Sequence, residues 1–317
     1  MEIKCETKLA CPLCKNEELD GVFAADDYVS ADTFFVYRCR QCDLGITEFN
    51  FKLKKLWDYY GPSYYGNRKS LIENVINYFR VRLMIRVMGS AEPHSLLDVG
   101  CGNGSFLVRI RNIGWSAIGT ELAPPNHLNG TVKKFIYKGD LINNHIAAES
   151  IDVVTMWHSL EHFIDPVSYI SEIRRILKHG GLLVLEVPNF LSWQSKFFRT
   201  NWFHLDVPRH LLHFSPRSIY YLLEQAGFKN IQVTHGDYIY EFFGYLQSIL
   251  NYFNRRKNLL FEILTNKMDL NTALRYHLGD CIIDAIILVP SLVLSCVLLF
   301  LGILCSRSGI IMVTAKK

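Results

Sequence analysis

A glycine-rich turn between two apolar runs is the feature of this 317-residue chain that most restricts its fold. The first run contains Asp98, and glycines follow it at alternate positions, Gly100, Gly102 and Gly104. An apolar pattern then resumes, which predicts a buried strand, a tight turn and the start of a helix. Glycine lets such a turn adopt positive φ and leaves room for a ligand. The spacing differs from the G-x-G-x-x-G of dinucleotide sites, since the sixth position from Gly100 is Ser105.

Two later acids occur at positions where they could bind a ligand at the edge of such a sheet. A short apolar run ends at Glu121, and Asp140 follows Gly139 further along the chain. A carboxylate at the C-terminal end of a strand can accept hydrogen bonds from both hydroxyls of a ribose. Each acid alone is typical of a solvated turn. The order of Asp98, Glu121 and Asp140 is what predicts a ligand site.

The segments beyond these acids alternate between strand and helix patterns. Apolar runs at 151–158 and 180–189 predict two strands, and the pattern at 166–178 predicts a helix between them. Alternating strands and helices favour a parallel sheet with helices on both faces and ligands at the C-terminal ends of its strands.

This succession resembles class I S-adenosylmethionine (SAM) methyltransferases, whose first motif is an acid-x-G-x-G-x-G turn. The resemblance covers about 95–235 and the C-terminal tail. It implies the α/β class, with a Rossmann-like seven-stranded methyltransferase sheet and SAM as cofactor. The residues that it places at the cofactor are Asp98, Gly100, Gly102, Gly104, Ser105, Phe106, Glu121, Leu122, Asp140, Leu141 and Trp157.

The chemistry is expected just after the strand predicted at 151–158. His158, Glu161 and His162 lie at i, i+3 and i+4, so they share one face of a helical turn. Such a group suits a general base for an attacking hydroxyl or a divalent cation that polarises it. The segment resembles ubiquinone-pathway O-methyltransferases, in which an acid and then E-H bind a divalent ion. Glu161 and His162 match that motif, whereas His158 replaces the acid; the structural alternative is local capping of the next helix.

A second polar cluster lies at 201–216, where the resembled family covers its substrate pocket. We expect Asp206 and Arg209 to contact substrate, and we regard His210 and His213 as further candidate catalytic residues. The alternative is that Asp206 and Arg209 pair to brace the loop, and both roles are compatible.

The segment before the core is rich in aromatic residues at 56–65 and continues as a predicted helix at 72–88. The aromatic segment is expected either to pack a small N-terminal module on the core or to form a lid over the site. Arg80, Arg82 and Arg86 of the helix are expected in solvent.

Two C-x-x-C pairs near the N-terminus predict that module to be a zinc ribbon. Strand-like segments lie between the pairs, and four thiolates would close the coordination shell of a structural zinc. Disulfides are the weaker explanation, because the N-terminus has no secretory signal pattern. The predicted ligands are Cys11, Cys14, Cys39 and Cys42.

The apolar run Ala285–Cys305 contains no charged residue and as a helix would be about 30 Å long, enough to span a bilayer. Residues 308–317, however, predict the last strand of the sheet. If the apolar run crossed the membrane once, this strand would lie on the opposite side of the membrane from the rest of the sheet. We therefore expect a re-entrant or interfacial helix pair, bent at Pro290, rather than a span or a buried core helix. The aromatic stretch 240–253, followed by the basic residues 255–257, is expected at an anionic lipid surface.

The charge distribution does not indicate a nucleic-acid-binding surface, because 34 basic and 30 acidic residues give a net charge of +4 and the basic residues do not form a block. We expect a cytoplasmic enzyme, in peripheral or re-entrant association with a membrane surface, that methylates oxygen or carbon of a small hydrophobic or lipid-linked acceptor. The alternatives are an RNA methyltransferase that uses the ribbon for substrate binding and a non-catalytic SAM-binding membrane scaffold. The expected organisation is a zinc ribbon at 1–50, an aromatic linker and helix at 51–92, the SAM-binding core at 93–235, an apolar helical insertion at 236–307 and the last strand at 308–317.

Overall fold

The computed structural model describes residues 9–48, 56–60, 71–89, 94–124 and 130–317. The described strands form two sheets. In chain order the strands are β1 (Leu19–Asp26), β2 (Thr33–Cys39), β3 (Gly45–Thr47), β4 (Ser95–Val99), β5 (Ser116–Glu121), β6 (Ile136–Lys138), β7 (Ile151–Trp157), β8 (Leu177–Pro188), β9 (Leu212–His213), β10 (Lys229–His235) and β11 (Ile310–Lys316).

Local sequence signals set several helix starts. Asp165, Ser192, Ser215 and Asp237 each accept hydrogen bonds from the first turn of the helix that they precede. The α-helices of the described residues are α1 (Leu71–Met88), α2 (Ser105–Asn112), α3 (Gly130–Lys133), α4 (Pro166–Ile176), α5 (Trp193–Phe198), α6 (Pro216–Gln225), α7 (Tyr238–Phe253), α8 (Leu259–Leu264), α9 (Leu270–Tyr276) and α10 (Leu278–Leu304).

The large sheet has the strand order β10-β11-β8-β7-β4-β5-β6. The strands from β8 to β6 pair in parallel, and β11 runs antiparallel to both β8 and β10. Leu97 and Val154 pack with α4 and α6 on one face, while Leu96 and Val153 pack with α1 and α2 on the other. The predicted fold class, a seven-stranded sheet covered on both faces, is therefore confirmed. The C-terminal ends of β4, β5 and β7 meet at one edge, where such sheets bind ligands.

The boundary between α4 and β8 differs from the prediction. The helix ends at Ile176 and the strand begins at Leu177, whereas the sequence predicted a helix to 178 and a strand from 180. The backbone of Leu177 is already extended, with φ −62° and ψ 137°. Pairing of β8 with β7 in the sheet therefore overrides the local helix pattern.

The small sheet joins the N-terminal strands to a distant part of the chain. Its order is β1-β2-β3-β9, and β9 comes from the loop that follows β8. Gly45 lies opposite His213, and Ile46 lies opposite Leu212. The loop at 201–216 that was expected to cover the substrate thus contributes the short strand Leu212–His213 to the N-terminal sheet.

The insertion before β11 consists of α7 to α10. Helix α10 is the one helix of the described residues that is long and apolar enough to cross a membrane, and only 17% of its most apolar window is buried. Pro290 lies inside this single continuous helix, so the bent helix pair expected at 285–305 is not seen. The expectation that 240–253 lies at a lipid surface is wrong for most of α7, because α10 packs over it and buries Tyr245 and Leu250 completely.

Candidate active site

The glycine turn after β4 has the conformation that its sequence predicts. Gly100, Gly102 and Gly104 have φ values of 78°, 54° and 71°, which disfavour other residues. A Cβ atom at Gly100 would lie 2.7 Å from the Cβ of Ser159, so a side chain has no room there. The Gly102 amide donates a hydrogen bond of 2.9 Å to the Glu121 carboxylate. The turn and the end of β5 are therefore held together.

Two cavities lie on either side of this turn and share Gly100 and Gly102 as lining residues. Their volumes are about 180 and 320 Å³. Gly104 does not line either cavity, since its Cα packs near Val132. The other predicted cofactor residues all line one cavity or both: Asp98, Gly100, Gly102, Ser105, Phe106, Glu121, Leu122, Asp140, Leu141 and Trp157.

Asp98 is deeply buried at this edge of the sheet. Its carboxylate accepts a hydrogen bond of 2.7 Å from the Thr155 hydroxyl, and burial raises the pKa of Asp98 to about 7. Asp140 is fixed differently, because it accepts hydrogen bonds from the Ile142 amide and the Tyr169 hydroxyl. Both acids are held in place by the protein itself.

Arg80 belongs to the site, and the expectation that it is solvated is wrong. It shares a face of α1 with Ile76 and Met84, both buried, and therefore points inward. Its guanidinium lies 4.4 Å from the centre of the Trp157 ring and 3.7 Å from Glu186. Its two neighbours Arg82 and Arg86, which face away, are exposed as expected.

Glu161 lies at the centre of a histidine cluster next to the cofactor cavities. Glu161, in the short 3-10 helix Leu160–His162, is buried almost completely, and neither of its carboxylate oxygens has a hydrogen-bond partner among the described residues. The nearest nitrogens of His158 and His210 lie 3.6 and 3.8 Å away. Burial opposes the charge of Glu161, but His158, His210 and His162 outweigh it and hold its pKa below the usual range.

Two of these histidines present a ring nitrogen to Glu161. His162 Nδ1 lies 2.9 Å from the Arg209 carbonyl, and His210 Nδ1 lies 2.8 Å from the His204 carbonyl. A carbonyl oxygen only accepts, so each Nδ1 carries a proton, and a ring in its neutral form has its lone pair on Nε2. Ligand atoms of Glu161, His162 and His210 all lie within 4.8 Å of one another.

The other predicted catalytic residues have partners that give them different roles. His158 Nε2 lies 2.9 Å from Glu186, and although burial opposes its charge, Glu161 and Glu186 raise its pKa to about 9. His213 in β9 hydrogen-bonds the Thr47 hydroxyl at 2.9 Å, and burial lowers its pKa to about 3. His158 also lines the first and the third cavity.

Arg209 braces the loop from within. Its guanidinium is completely buried and donates to Asp206 at 2.8 Å, to Asp27 at 2.7 Å and to the Tyr59 carbonyl at 3.0 Å. The bracing role considered for Asp206 and Arg209 is therefore present, whereas Arg209 has no exposed surface for a substrate. Asp206 additionally lines a third cavity.

This third cavity, of about 170 Å³, lies against the Glu161 cluster and shares His158 and His162 with the first cavity. Its wall includes residues that sequence reasoning did not select, drawn from the N-terminal sheet, the loop after β8 and the insertion. They are Tyr28, Phe203, His204, Tyr240, Asn258, Phe261 and Lys267. Only the aromatic density of 238–261 hinted at a wall of this kind. Of the aromatic segment predicted as packing or as a lid, only 56–60 lies in the described residues, and Tyr60 lines the first cavity.

The fold and the site define a class I SAM-dependent methyltransferase. A family model described as "Methyltransferase domain" matches residues 72–233, just over half of the chain, and the chain belongs to that family. The ubiquinone biosynthesis O-methyltransferase of Cereibacter sphaeroides is 29% identical over 145 residues, which cover 42% of this chain and 59% of the relative. The protein of the same name from Methylococcus capsulatus is 29% identical over 154 residues, covering 45% of this chain and 61% of the relative.

Structural similarity extends further along the chain than sequence similarity. The structure of Haemonchus contortus phosphoethanolamine N-methyltransferase 2, with phosphomonomethylethanolamine and S-adenosylhomocysteine, covers 94% of this chain and 69% of its own. The TM-score is 0.51 at 14% identity, so this likeness bears on the fold alone.

Proposed function

We propose that this methyltransferase transfers the methyl group of SAM to a hydroxyl oxygen of a small hydrophobic or lipid-linked acceptor. The observation that carries the proposal is the buried cluster of Glu161, His162 and His210, in which His162 lines both the first and the third cavity and His210 lines the third. SAM occupies the cavities around the glycine turn, and the acceptor occupies the third cavity. Two curated relatives named ubiquinone biosynthesis O-methyltransferase support an acceptor oxygen.

The chemistry that this arrangement performs is deprotonation next to an electrophile. The sulfonium of SAM makes its methyl group electrophilic, so the protein has to position the acceptor in line and remove its proton. In their neutral forms, the rings of His162 and His210 offer Nε2 lone pairs for that proton. Glu161 lies between them, and its negative charge stabilises the imidazolium that forms.

The same three residues also fit a divalent cation. One carboxylate and two imidazole nitrogens suit such an ion, and the unpartnered oxygens of Glu161 are the observation that favours it. The backbone carbonyls that accept from the two Nδ1 groups would fix the ligand rings. A bound cation would polarise the acceptor hydroxyl and lower its pKa. In this set His210 takes the place that the sequence suggested for His158.

The acceptor is hydrophobic in this proposal because aromatic rings line its cavity. Phe203, Tyr240 and Phe261 lie on the wall, and the last two come from the apolar insertion. The same insertion contains α10, whose exposed apolar surface supports association with a membrane. A lipid-linked acceptor is dissolved in the membrane, so an enzyme bound to the membrane surface has direct access to it.

We also propose a structural zinc at Cys11, Cys14, Cys39 and Cys42. Their four sulfurs lie within 4.8 Å of one another, and the closest pairs are 3.5 Å apart. None of the described cysteines forms a disulfide. Four thiolates leave no position for substrate, so this metal would stabilise the ribbon, proposed at 1–50, beside the core at 93–235.

The test of the catalytic cluster compares buried and exposed histidines. His162→Ala, His210→Ala and Glu161→Gln should each lower the single-turnover methylation rate about 10²–10⁴-fold, the usual effect of losing a general base. SAM affinity, measured by calorimetry, should change little. His179→Ala is the matched control, because this side chain is 86% exposed and should leave the rate unaltered. Full activity in all three cluster variants would contradict the proposal.

A second measurement distinguishes the base from the cation. Metal content of the purified protein is determined before and after dialysis against a chelator that spares the cysteine site. A divalent ion that is absent from His210→Ala but retained in His179→Ala would place the ion at the cluster. Full methylation by protein free of that ion would assign the proton to the histidines alone.

A further inference from the structure

Helix α10 exposes its apolar residues along one continuous stripe. The members recur at intervals of three or four, so they share a face of the helix. Their exposed fractions lie between 48% and 71%. They are Ile282, Ile286, Val289, Val293, Val297, Phe300 and Leu304.

The opposite face of α10, which packs on α7, carries small and polar residues. Asp280, Ser291, Ser295 and Gly302 are the buried positions of the helix. A Cβ atom at Gly302 would lie 3.2 Å from the Tyr245 hydroxyl, so the small residue permits close approach of the two helices. Helices at the surface of water-soluble proteins have the reverse polarity, with apolar residues facing inward. Small residues between helices and apolar ones outside are typical of helices in contact with lipid.

Both ends of α10 are attached to the methyltransferase body. At the start, the Asp280 carboxylate accepts hydrogen bonds from the amides of Arg255 and Arg256, at 3.0 and 3.1 Å. Just beyond the end, the Arg307 carbonyl accepts from the Trp193 amide at 3.2 Å. The Gly309 amide then donates to the buried Glu241 of α7 at 2.9 Å, and β11 enters the sheet.

These attachments decide how the helix can meet a bilayer. A trans-bilayer orientation would draw the body that holds both ends into the hydrocarbon, together with its charged surface, and such burial is costly. A helix that lies parallel to the membrane plane exposes only its outer stripe to lipid and leaves the body in water. The uncharged stretch from 285 to 306 is preceded by Asp284, which accepts a hydrogen bond from the Asn254 side chain, and is followed by the exposed Arg307. A second exposed basic residue, Arg275, lies on α9 just before α10 begins. Basic residues at the edges of an apolar face favour anionic headgroups.

We propose that α10 is an in-plane docking helix whose apolar stripe inserts beneath the headgroups of an anionic bilayer. The inference rests on the membrane association proposed above and adds its geometry and its lipid partner. The enzyme body then sits on the membrane through one face of one helix, and β11 stays in the sheet. In the basic run 255–257, expected at the lipid surface, Arg256 pairs with Glu262 and Lys257 bonds the Thr200 carbonyl, whereas Arg255 is exposed.

The first test is sedimentation of the full chain with vesicles. The protein should bind vesicles of phosphatidylcholine and phosphatidylglycerol more tightly than phosphatidylcholine alone. Ile286→Glu combined with Val293→Glu should lower the bound fraction at least tenfold, because two charges then lie in the stripe. Tyr220→Glu on α6 is the control, since this side chain is also exposed and apolar but lies outside the stripe. It should bind vesicles like the unaltered protein.

SAM affinity is measured on every variant and separates docking from function. Loss of vesicle binding with unchanged SAM affinity supports the docking helix. If the unaltered protein fails to bind anionic vesicles, the proposal is overturned while the methyltransferase assignment stands. A dimer in detergent-free solution that becomes a monomer in the double variant would show that a second copy covers the stripe, which also overturns it.

A depth measurement tests the orientation. Single cysteines at Ile286, Val293 and Phe300 carry an environment-sensitive fluorophore, in a background where the exposed Cys296 and Cys305 are serine. Spin-labelled lipids should quench all three labels to the same shallow depth. A label at position 293 that lies much deeper than the other two would show a crossing helix and contradict the in-plane orientation.

Discussion

The guanidinium of Arg209 and the carboxylate of Asp27 lie 2.7 Å apart, and both side chains are buried. Asp27 follows β1 of the N-terminal sheet, whereas Arg209 belongs to the loop beside the third cavity. The same Arg209 holds Asp206, and its own carbonyl accepts from His162. One ion pair thus connects the cysteine-bearing module to the proposed catalytic cluster.

Removing Asp27 should therefore loosen the acceptor side of the site. Asp27→Ala leaves a buried guanidinium with one carboxylate fewer, and breaking a buried pair typically costs about 3–5 kcal/mol of unfolding free energy. We expect a lower denaturation midpoint in urea and faster hydrogen exchange at 204–213. SAM affinity should be retained, because the glycine turn is not touched.

The matched control for this prediction is Asp20→Ala. Asp20 pairs with Arg40 at 2.6 Å on the surface of the same module, where solvent screens the interaction. We expect no measurable change in stability. Equal effects of the two substitutions would show that the buried pair has no special role.

The zinc prediction concerns two properties: the metal content of the protein and the hydrogen exchange of β9, which is distant from the cysteines in the sequence. The purified protein should contain about one zinc per chain, as a single four-thiolate site requires. Cys11→Ser with Cys39→Ser should lose it and expose the amides of Leu212 and His213 to exchange, because β9 pairs with β3. Cys305→Ser, at an exposed cysteine, should keep both properties. Absence of zinc from protein prepared without chelators would contradict the site.

The cofactor prediction tests the contact between the glycine turn and β5. Glu121→Ala removes the acceptor of the Gly102 amide and the carboxylate placed to bind ribose. A hydrogen bond to a charged group is worth about 1.5–3 kcal/mol, so the dissociation constant for SAM should rise about tenfold to a hundredfold. Calorimetry measures it, with the exposed Glu224→Ala as control. An unchanged constant in Glu121→Ala would mean that SAM does not bind at this turn.

Local signals made the cofactor end of the molecule predictable. Asp98, the alternate glycines and Glu121 are set by the strand-turn-helix pattern that surrounds each of them. The two C-x-x-C pairs could likewise be recognised from the spacing of their cysteines alone. Glu161 and His162 were found because they are adjacent, yet their partner His210 could only be weighed as one of several polar loop residues.

What sequence reasoning missed depends on contacts between distant segments. Asp27 and Arg209 are 182 positions apart, and no local sequence pattern predicts that they form an ion pair. Arg80 looked solvated because charge predicts exposure, whereas the packing of α1 on the sheet turns it toward Trp157. Tyr240 was expected at a lipid surface but lines two cavities together with Phe261, which the sequence analysis did not select.

The central claim is methyl transfer from SAM to a lipid-soluble acceptor at the Glu161 cluster. The most direct measurement incubates the purified protein with methyl-labelled SAM, a total lipid extract and total RNA, and then counts label in each fraction. The account predicts label in the lipid fraction, abolished in Glu161→Gln and unaffected in His179→Ala, with SAM bound equally by all three proteins. Label in RNA, or equal lipid labelling by Glu161→Gln, would contradict it.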